Sequence, residues 1–376
     1  MFERIEEIIE HYGREHLLSG NVFISKEGKE IFSQSYGQAS MQLNVPNGID
    51  TKFHIASVTK MFIAAATLKL YEQGRIDLDQ HPGTYVEKFK GLHPDITIHH
   101  LLSHSSGLKD IYAVPDLRLE MSRWKAENRD FIDYLLQLEQ QFRPGERWAY
   151  SSTGFIMLGY ILEALTGMRY EEVLDAWFFS PLQMRSTGLD HPRHINPGRA
   201  YGHTLENGTL RNADNDKLSD VDAPGELFST VRDLDRWCEA LFSGELLKQE
   251  TMERMFTPYY ATSFDPDLGY GYGWFLRPDV RLIGAARRDS ARKFGMIPPM
   301  ACGSLCCGIT KKSIRINYSI GSGPCYWNVS RIAKIMKSRT VVLQGDIHGT
   351  QIYIHPQKNE RHAQKGKKTP RLGSLS

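Results

Sequence analysis

Residues 53–70 read FHIASVTKMFIAAATLKL: a β-prone end, then Ser57 and Lys60 three apart, then an apolar run with one further charge, Lys69, before Glu72. Three residues is about one helical turn, so a helix starting near Ser57 puts Lys60 on the same face. Ser57 is then either a nucleophile or a hydroxyl that caps the helix. A serine is a poor nucleophile unless a base lies within hydrogen-bond reach. A lysine at the root of an apolar helix needs a reason to be there, because an unpaired buried cation is costly. The positive end of the helix would favour an oxyanion beside Ser57. Spacing alone decides nothing, since Ser106/Lys109 and Ser122/Lys125 repeat it.

A second signal lies downstream, in RPGERWAYSSTGFIMLGYILEALTG (143–167), where Tyr150 and Ser152 end a loop and an apolar helix follows from Thr153. A phenol titrates near about 10 and needs a neighbouring cation to act as a base. Tyr150 with Lys60 could pass the Ser57 proton to a leaving group. Tyr150 read by itself is equally a packed aromatic with its hydroxyl satisfied.

Working outward, GNVFISKEGKEIFSQSYGQA (20–39) predicts two antiparallel strands turning at Lys26, Glu27 and Gly28. Helical periodicity predicts helices at 58–73, 97–103, 131–141, 153–165, 170–179 and 230–241. LGYGYGWFL (268–276) alternates Gly with aromatics and reads as one strand through a tight place. Farther along, KKSIRINYSI (311–320), TVVLQ (340–344) and TQIYIHP (350–356) are strand candidates. The expected division is a sheet region over 1–56 and 260–356, a mainly helical region over 57–259, and a basic, disordered tail over 357–376.

Composition sets wider bounds. The chain has 376 residues, 41% hydrophobic and 24% charged, as expected of a globular protein large enough to bury a water-poor site. No apolar run approaches the roughly 18 residues a membrane span requires. The amphipathic start, MFERIEEIIEHYGREHLL, lacks the apolar core of a signal peptide, so a cytoplasmic location is expected unless a leader was removed. The five cysteines fit neither a disulfide framework nor a zinc pattern, and thiols without a special role are expected. The basic tail has no interleaved aromatics or recognised module, so no nucleic-acid partner is expected.

The landmarks Ser57/Lys60, LLSHSSGL (101–108), PGERWAYSSTGF (144–155), GELFSTVRDLDRW (225–237) and GYGYGW (269–274) occur in an order that resembles the serine β-lactamase and penicillin-binding-protein superfamily. The similarity is closest to the class C-like branch of D-alanyl-D-alanine carboxypeptidases and β-lactamase-fold esterases, and covers about 18–278. It implies an α+β fold: an antiparallel sheet flanked by helices and built from both chain ends, with an all-helical region inserted. It further implies Ser57 as acyl-accepting nucleophile, Lys60 as the group that tunes it, Tyr150 as general base and then acid, and Ser152 as a substrate-binding residue where the family often has Asn. No metal or organic cofactor is required, and the substrate would be a β-lactam, a D-Ala-D-Ala-type peptide or a small ester.

Two of the landmarks, LLSHSSGL and GELFSTVRDL, read as structural: Gly107 as a helix C-terminal residue, Ser229 or Thr230 as an N-cap, and His104 as a packed loop histidine. The family's third element, H-x-G or K-[ST]-G on a strand after the Gly-aromatic segment, is absent after residue 274. The charge balance breaks at the same place: residues 281–376 hold 18 Lys+Arg against 3 Asp+Glu, and residues 1–280 hold 28 against 41. A reading-frame change near codon 280 would explain both and would remove the oxyanion strand and the last strands. The alternative function is therefore an inactive β-lactamase-fold protein that acts as a binding domain or does not fold fully.

Overall fold

The structure, a computed structural model, describes residues 19–26, 28–115, 131–191, 194–206, 209–212, 226–263, 265–277, 280–283, 305–308 and 314–320. Among the described residues the main sheet has eight strands: β1 Gly20–Lys26, β2 Lys29–Tyr36, β3 Tyr260–Ala261, β4 Gly269–Tyr270, β5 Phe275–Arg277, β6 Val280–Ile283, β7 Leu305–Gly308 and β8 Ile314–Ile320. The spatial order is β3-β4-β5-β6-β7-β8-β1-β2, and every neighbouring pair is antiparallel. The first and last described strands, β1 and β8, pair with each other, from Gly20 opposite Ile320 to Lys26 opposite Ile314. This is the mixed helix and antiparallel-sheet arrangement that the resemblance implies.

The strand candidate at 311–320 is β8, whereas those at 340–344 and 350–356, the amphipathic start and the basic tail lie outside the described residues. From Val280 onward, β6, β7 and β8 extend the sheet to β1. The strand that follows the Gly-aromatic segment, β6, reads Val-Arg-Leu-Ile and carries neither third-element motif.

Helix α1, Thr59–Glu72, is buried on nearly every side from Thr59 to Leu68, as an apolar run without a polar face must be. Phe62 anchors it, with ring centroids 5.2 Å from Phe179 and 4.4 Å from Trp237. α2, Ser152–Thr166, packs against α1 and stops at Gly167, whose φ of 72° continues no helix. α3, Val231–Ser243, starts at Thr230, whose side chain accepts from the Asp233 N–H at 3.3 Å. Its buried residues include Leu234, Trp237 and Leu241, which join the core around α1, with Trp237 against Phe62 and Phe178, while the helix lies beside β1, β7 and β8 and Ser25 on β1 donates to Asp235 at 2.6 Å.

Several expectations are corrected. The helix expected over 131–141 ends at Leu135, and Gln140 instead donates to the carbonyls of Ser106 and Phe142, both at 2.7 Å. That expected over 170–179 changes from an α-helix at Tyr170–Leu174 to a π-helical turn at Asp175–Phe179. Gly107 ends no helix, since the helical segment Ile98–Leu102 stops five residues earlier; at φ 76° its missing side chain makes room for Phe142 O and Gln140. The Gly-aromatic segment is a hairpin, with β4 and β5 joined by a turn in which Gly273 has φ 78°. Cys238, buried on α3, is disulfide-bonded rather than a plain thiol.

Candidate active site

A small three-stranded sheet holds the nucleophile candidate. Phe53–His54 pairs with Leu227–Ser229, which pairs on its other side with Gly188–Leu189, and the Ile55 N–H donates to Leu227 O at 2.9 Å. The chain then turns sharply through Ala56, whose φ of 43° is left-handed and disfavoured for a residue with a Cβ. Ser57 sits on the following 3₁₀ turn, Ala56–Val58, and α1 begins two residues later with Val58 as its N-cap. No side-chain cap bond is made there, so Ser57 is not spent as a helix cap.

Its hydroxyl instead receives two hydrogen bonds. Lys60 Nζ donates to Ser57 Oγ at 3.1 Å, and the Tyr150 hydroxyl donates to the same oxygen at 2.6 Å. Lys60 also donates to Ser152 Oγ at 3.4 Å, and its Nζ lies 5.1 Å from the centre of the Tyr150 ring and 5.6 Å from that of Phe155. Lys60 and Ser152 are buried, so this cation is held by two hydroxyl oxygens and two aromatic faces in place of water. All four residues expected at the site are therefore brought together, from segments some 90 residues apart.

The LLSHSSGL segment supports them from below. His104, at φ 57°, is buried, and its Nδ1 accepts the Ser151 N–H at 3.2 Å while its carbonyl accepts the Ala149 N–H at 2.9 Å. Its ring lies against Tyr150 and Tyr270, with centroids 4.3 and 4.6 Å away. Burial, and next the Lys60 charge, hold its pKa well below the ordinary value, so it is a neutral support. Gly273 closes the other side: a Cβ there would stand 2.9 Å from the Lys60 carbonyl oxygen and 3.2 Å from Ala64 Cβ.

Sequence reading missed a second layer of polar contacts. Asp110 Oδ1 accepts the Ser152 N–H at 3.0 Å. Thr153 Oγ1 donates to Lys109 O at 2.7 Å and accepts from the Ile111 N–H at 2.9 Å. Tyr112 donates to the buried Glu226 at 3.5 Å, and burial, then the charges of Glu226 and Asp110, push its pKa well above the ordinary value. The only signal in the sequence is that Asp110 and Tyr112 follow the LLSHSSGL segment. Among the described residues no group of three or more His, Cys, Asp or Glu is placed to hold a metal.

An antiparallel sheet in which the first and last described strands pair, with a Ser-Lys-Tyr cluster at the root of a buried helix, is the arrangement of the serine β-lactamase and transpeptidase class. The chain belongs to the Beta-lactamase family, whose model matches residues 5–305 and so runs past the limit of about 278 expected from the motifs. Penicillin-binding protein 4* of Bacillus subtilis (strain 168) is 27% identical over 294 residues, covering 73% of this chain and 63% of that protein. The chain thus spans less than two thirds of that relative's length. The solved structure of a penicillin binding protein from Bacillus halodurans is similar with a TM-score of 0.68 and 23% identity, covering 86% of this chain and 97% of that one. A D-stereospecific amidohydrolase from Streptomyces sp. is similar with a TM-score of 0.64 and 23% identity, covering 81% and 90%. These two structural likenesses speak to the fold alone. No helix among the described residues is long and apolar enough to cross a membrane.

Proposed function

We propose that the chain is a serine hydrolase working through an acyl-enzyme on Ser57. The observation that carries this is the convergence of Lys60 Nζ and the Tyr150 hydroxyl on one oxygen, Ser57 Oγ, at 3.1 and 2.6 Å. The Tyr150–Lys60 pair takes the Ser57 proton as the Oγ–carbon bond forms to the substrate carbonyl. As the tetrahedral adduct collapses, the bond to the leaving group breaks and Tyr150 returns the proton to it. Water then attacks the acyl-enzyme, gives its proton to the same pair, and releases the acid and a free Ser57. Ser152, within reach of Lys60, would also hold the substrate carbonyl side. The penicillin-binding relative of Bacillus subtilis supports a lactam carbonyl, and a D-Ala-D-Ala-type peptide or a small ester fits the same chemistry.

A second reading is favoured by one observation: neither H-x-G nor K-[ST]-G occurs after residue 274. A site lacking that strand's donor would bind without turning over. A fluorophosphonate or penicillin probe followed by intact-protein mass spectrometry tests both. The hydrolase reading expects one adduct per chain, absent in Ser57→Ala. Equal labelling of wild type and Ser57→Ala, or none of either, sinks it, and a cooperative melt without labelling supports the binding domain.

A further inference from the structure

We propose that Asp110 is a positioning residue that sets the geometry of Tyr150 and Ser152 against Lys60, by acting as the N-terminal cap of α2 from a distant loop. This rests on the acyl-enzyme reading above. Helix N-termini leave backbone N–H groups without intrahelical partners, and a side chain at the N-cap ordinarily takes one. α2 has Ser151 at that position, and Ser151 makes no side-chain cap bond. The Asp110 carboxylate, 42 residues away in sequence, accepts the Ser152 N–H instead, at 3.0 Å. Asp110 itself precedes a 3₁₀ turn, Ile111–Ala113, to which its side chain gives no cap bond.

Two more bonds make this a clamp. Thr153 Oγ1 donates to the Lys109 carbonyl at 2.7 Å and accepts from the Ile111 N–H at 2.9 Å, so the residues on either side of Asp110 are stitched to the next position of the same helix. The clamped turn begins with Ser152, which holds Lys60 through a 3.4 Å bond, and follows Tyr150, which holds Ser57 at 2.6 Å. At 3.4 Å the Ser152 contact is near the limit of a hydrogen bond, so a shift of a few tenths of an ångström in the first turn of α2 breaks it. A negative group at the positive end of α2 is also favoured by the helix dipole.

The test uses the full chain, a fluorophosphonate probe and three variants: Asp110→Ala, Asp110→Asn and Thr153→Val. Labelling time courses over a range of probe concentrations separate the maximal acylation rate from the half-saturating concentration. Asp110→Ala should lower the maximal rate by about 10- to 100-fold, the scale of a misplacement of about 1 Å, while half-saturation stays within about threefold. Asp110→Asn keeps an acceptor oxygen and should recover most of the rate, which a general loss of stability would not reproduce. Thr153→Val should fall between them, and it decides the matter if Asp110→Ala does not fold. A wild-type maximal rate in Asp110→Ala, or in both Asp110→Asn and Thr153→Val when Asp110→Ala is unfolded, overturns the proposal, as does an Asp110→Asn variant slower than Thr153→Val. Hydrogen exchange of the 150–153 segment needs no turnover: it should quicken in Asp110→Ala, or in Thr153→Val when Asp110→Ala is unfolded. If wild type takes no label, the acyl-enzyme reading fails separately, and unchanged exchange in that variant then overturns the clamp.

Discussion

Gly273→Ala is the substitution whose effect the structure specifies most closely. At φ 78° an alanine meets the left-handed penalty of about 1–2 kcal/mol. The new Cβ would also sit 2.9 Å from the Lys60 carbonyl oxygen and 3.2 Å from Ala64 Cβ, both on the buried side of α1. Relieving such overpacking costs typically about 1–3 kcal/mol. The expected destabilisation is therefore about 2–5 kcal/mol, read as a fall in the urea midpoint at unchanged slope. Relief requires α1 to move at Lys60, whose bonds to Ser57 and Ser152 are 3.1 and 3.4 Å, so the longer one breaks first and acylation slows together with the loss of stability. Gly271→Ala is the control, because its Cβ would meet Leu276 Cδ1 at 2.8 Å and the Met255 and Thr257 carbonyls but not Lys60. It should destabilise the fold without a matching loss of acylation rate in the folded fraction. The reasoning is refuted if Gly273→Ala unfolds within about 0.5 kcal/mol of wild type, the range of an ordinary surface change, or labels Ser57 at the wild-type rate.

Tyr150→Phe removes the donor at 2.6 Å from Ser57 Oγ and should slow probe labelling by about 100- to 10,000-fold, the usual range for a general acid–base group, with the melt little changed. Phe62→Ala, at a fully buried ring edge-to-face with Phe179 and tilted against Trp237, should lower stability by about 3–5 kcal/mol in urea titrations. Stability should fall with acid. Burial, and then the neighbouring His100, lower the His99 pKa from 6.5 to about 4, so the unfolded chain binds the extra proton between those values and the melting temperature drops as pH falls through that window. The loss from His99 approaches about 3 kcal/mol before allowance for its partial exposure. His100, His104 and His203 are lowered for the same first reason and act in the same direction, while Glu163 and Asp233, raised by burial, act against it nearer the carboxylate range. A melting temperature flat from pH 7 to pH 4 would contradict this balance.

Helices α1 and α2 were legible because their apolar runs leave no polar face, so burial and helix follow from the same residues. Ser57, Lys60, Tyr150 and Ser152 were legible as ordered motifs, not as chemistry, since two other Ser-x-x-Lys pairs have the same spacing. What could not be read depends on contacts between distant segments. The turn at Gly273 is dictated by a carbonyl of α1, the short helix at Phe131–Leu135 by what Gln140 must hold, and the role of Asp110 by a helix 42 residues on. None of these leaves a period or a spacing in the chain.

The pairing of β1 with β8 has a consequence for how the protein is made. Gly20 lies opposite Ile320, 300 residues later, so the central hydrogen-bonded ladder closes only when nearly the whole described chain has left the ribosome. Until then the β1–β2 hairpin, synthesised first, presents an unpaired edge, while α1 and α2 are already available to bury one another. Such long-range closure is slow and leaves strand edges open to the wrong partners, so a chain that stalls before Ile314 would hold the Ser57 segment with its main sheet still open, and would be a substrate for chaperones.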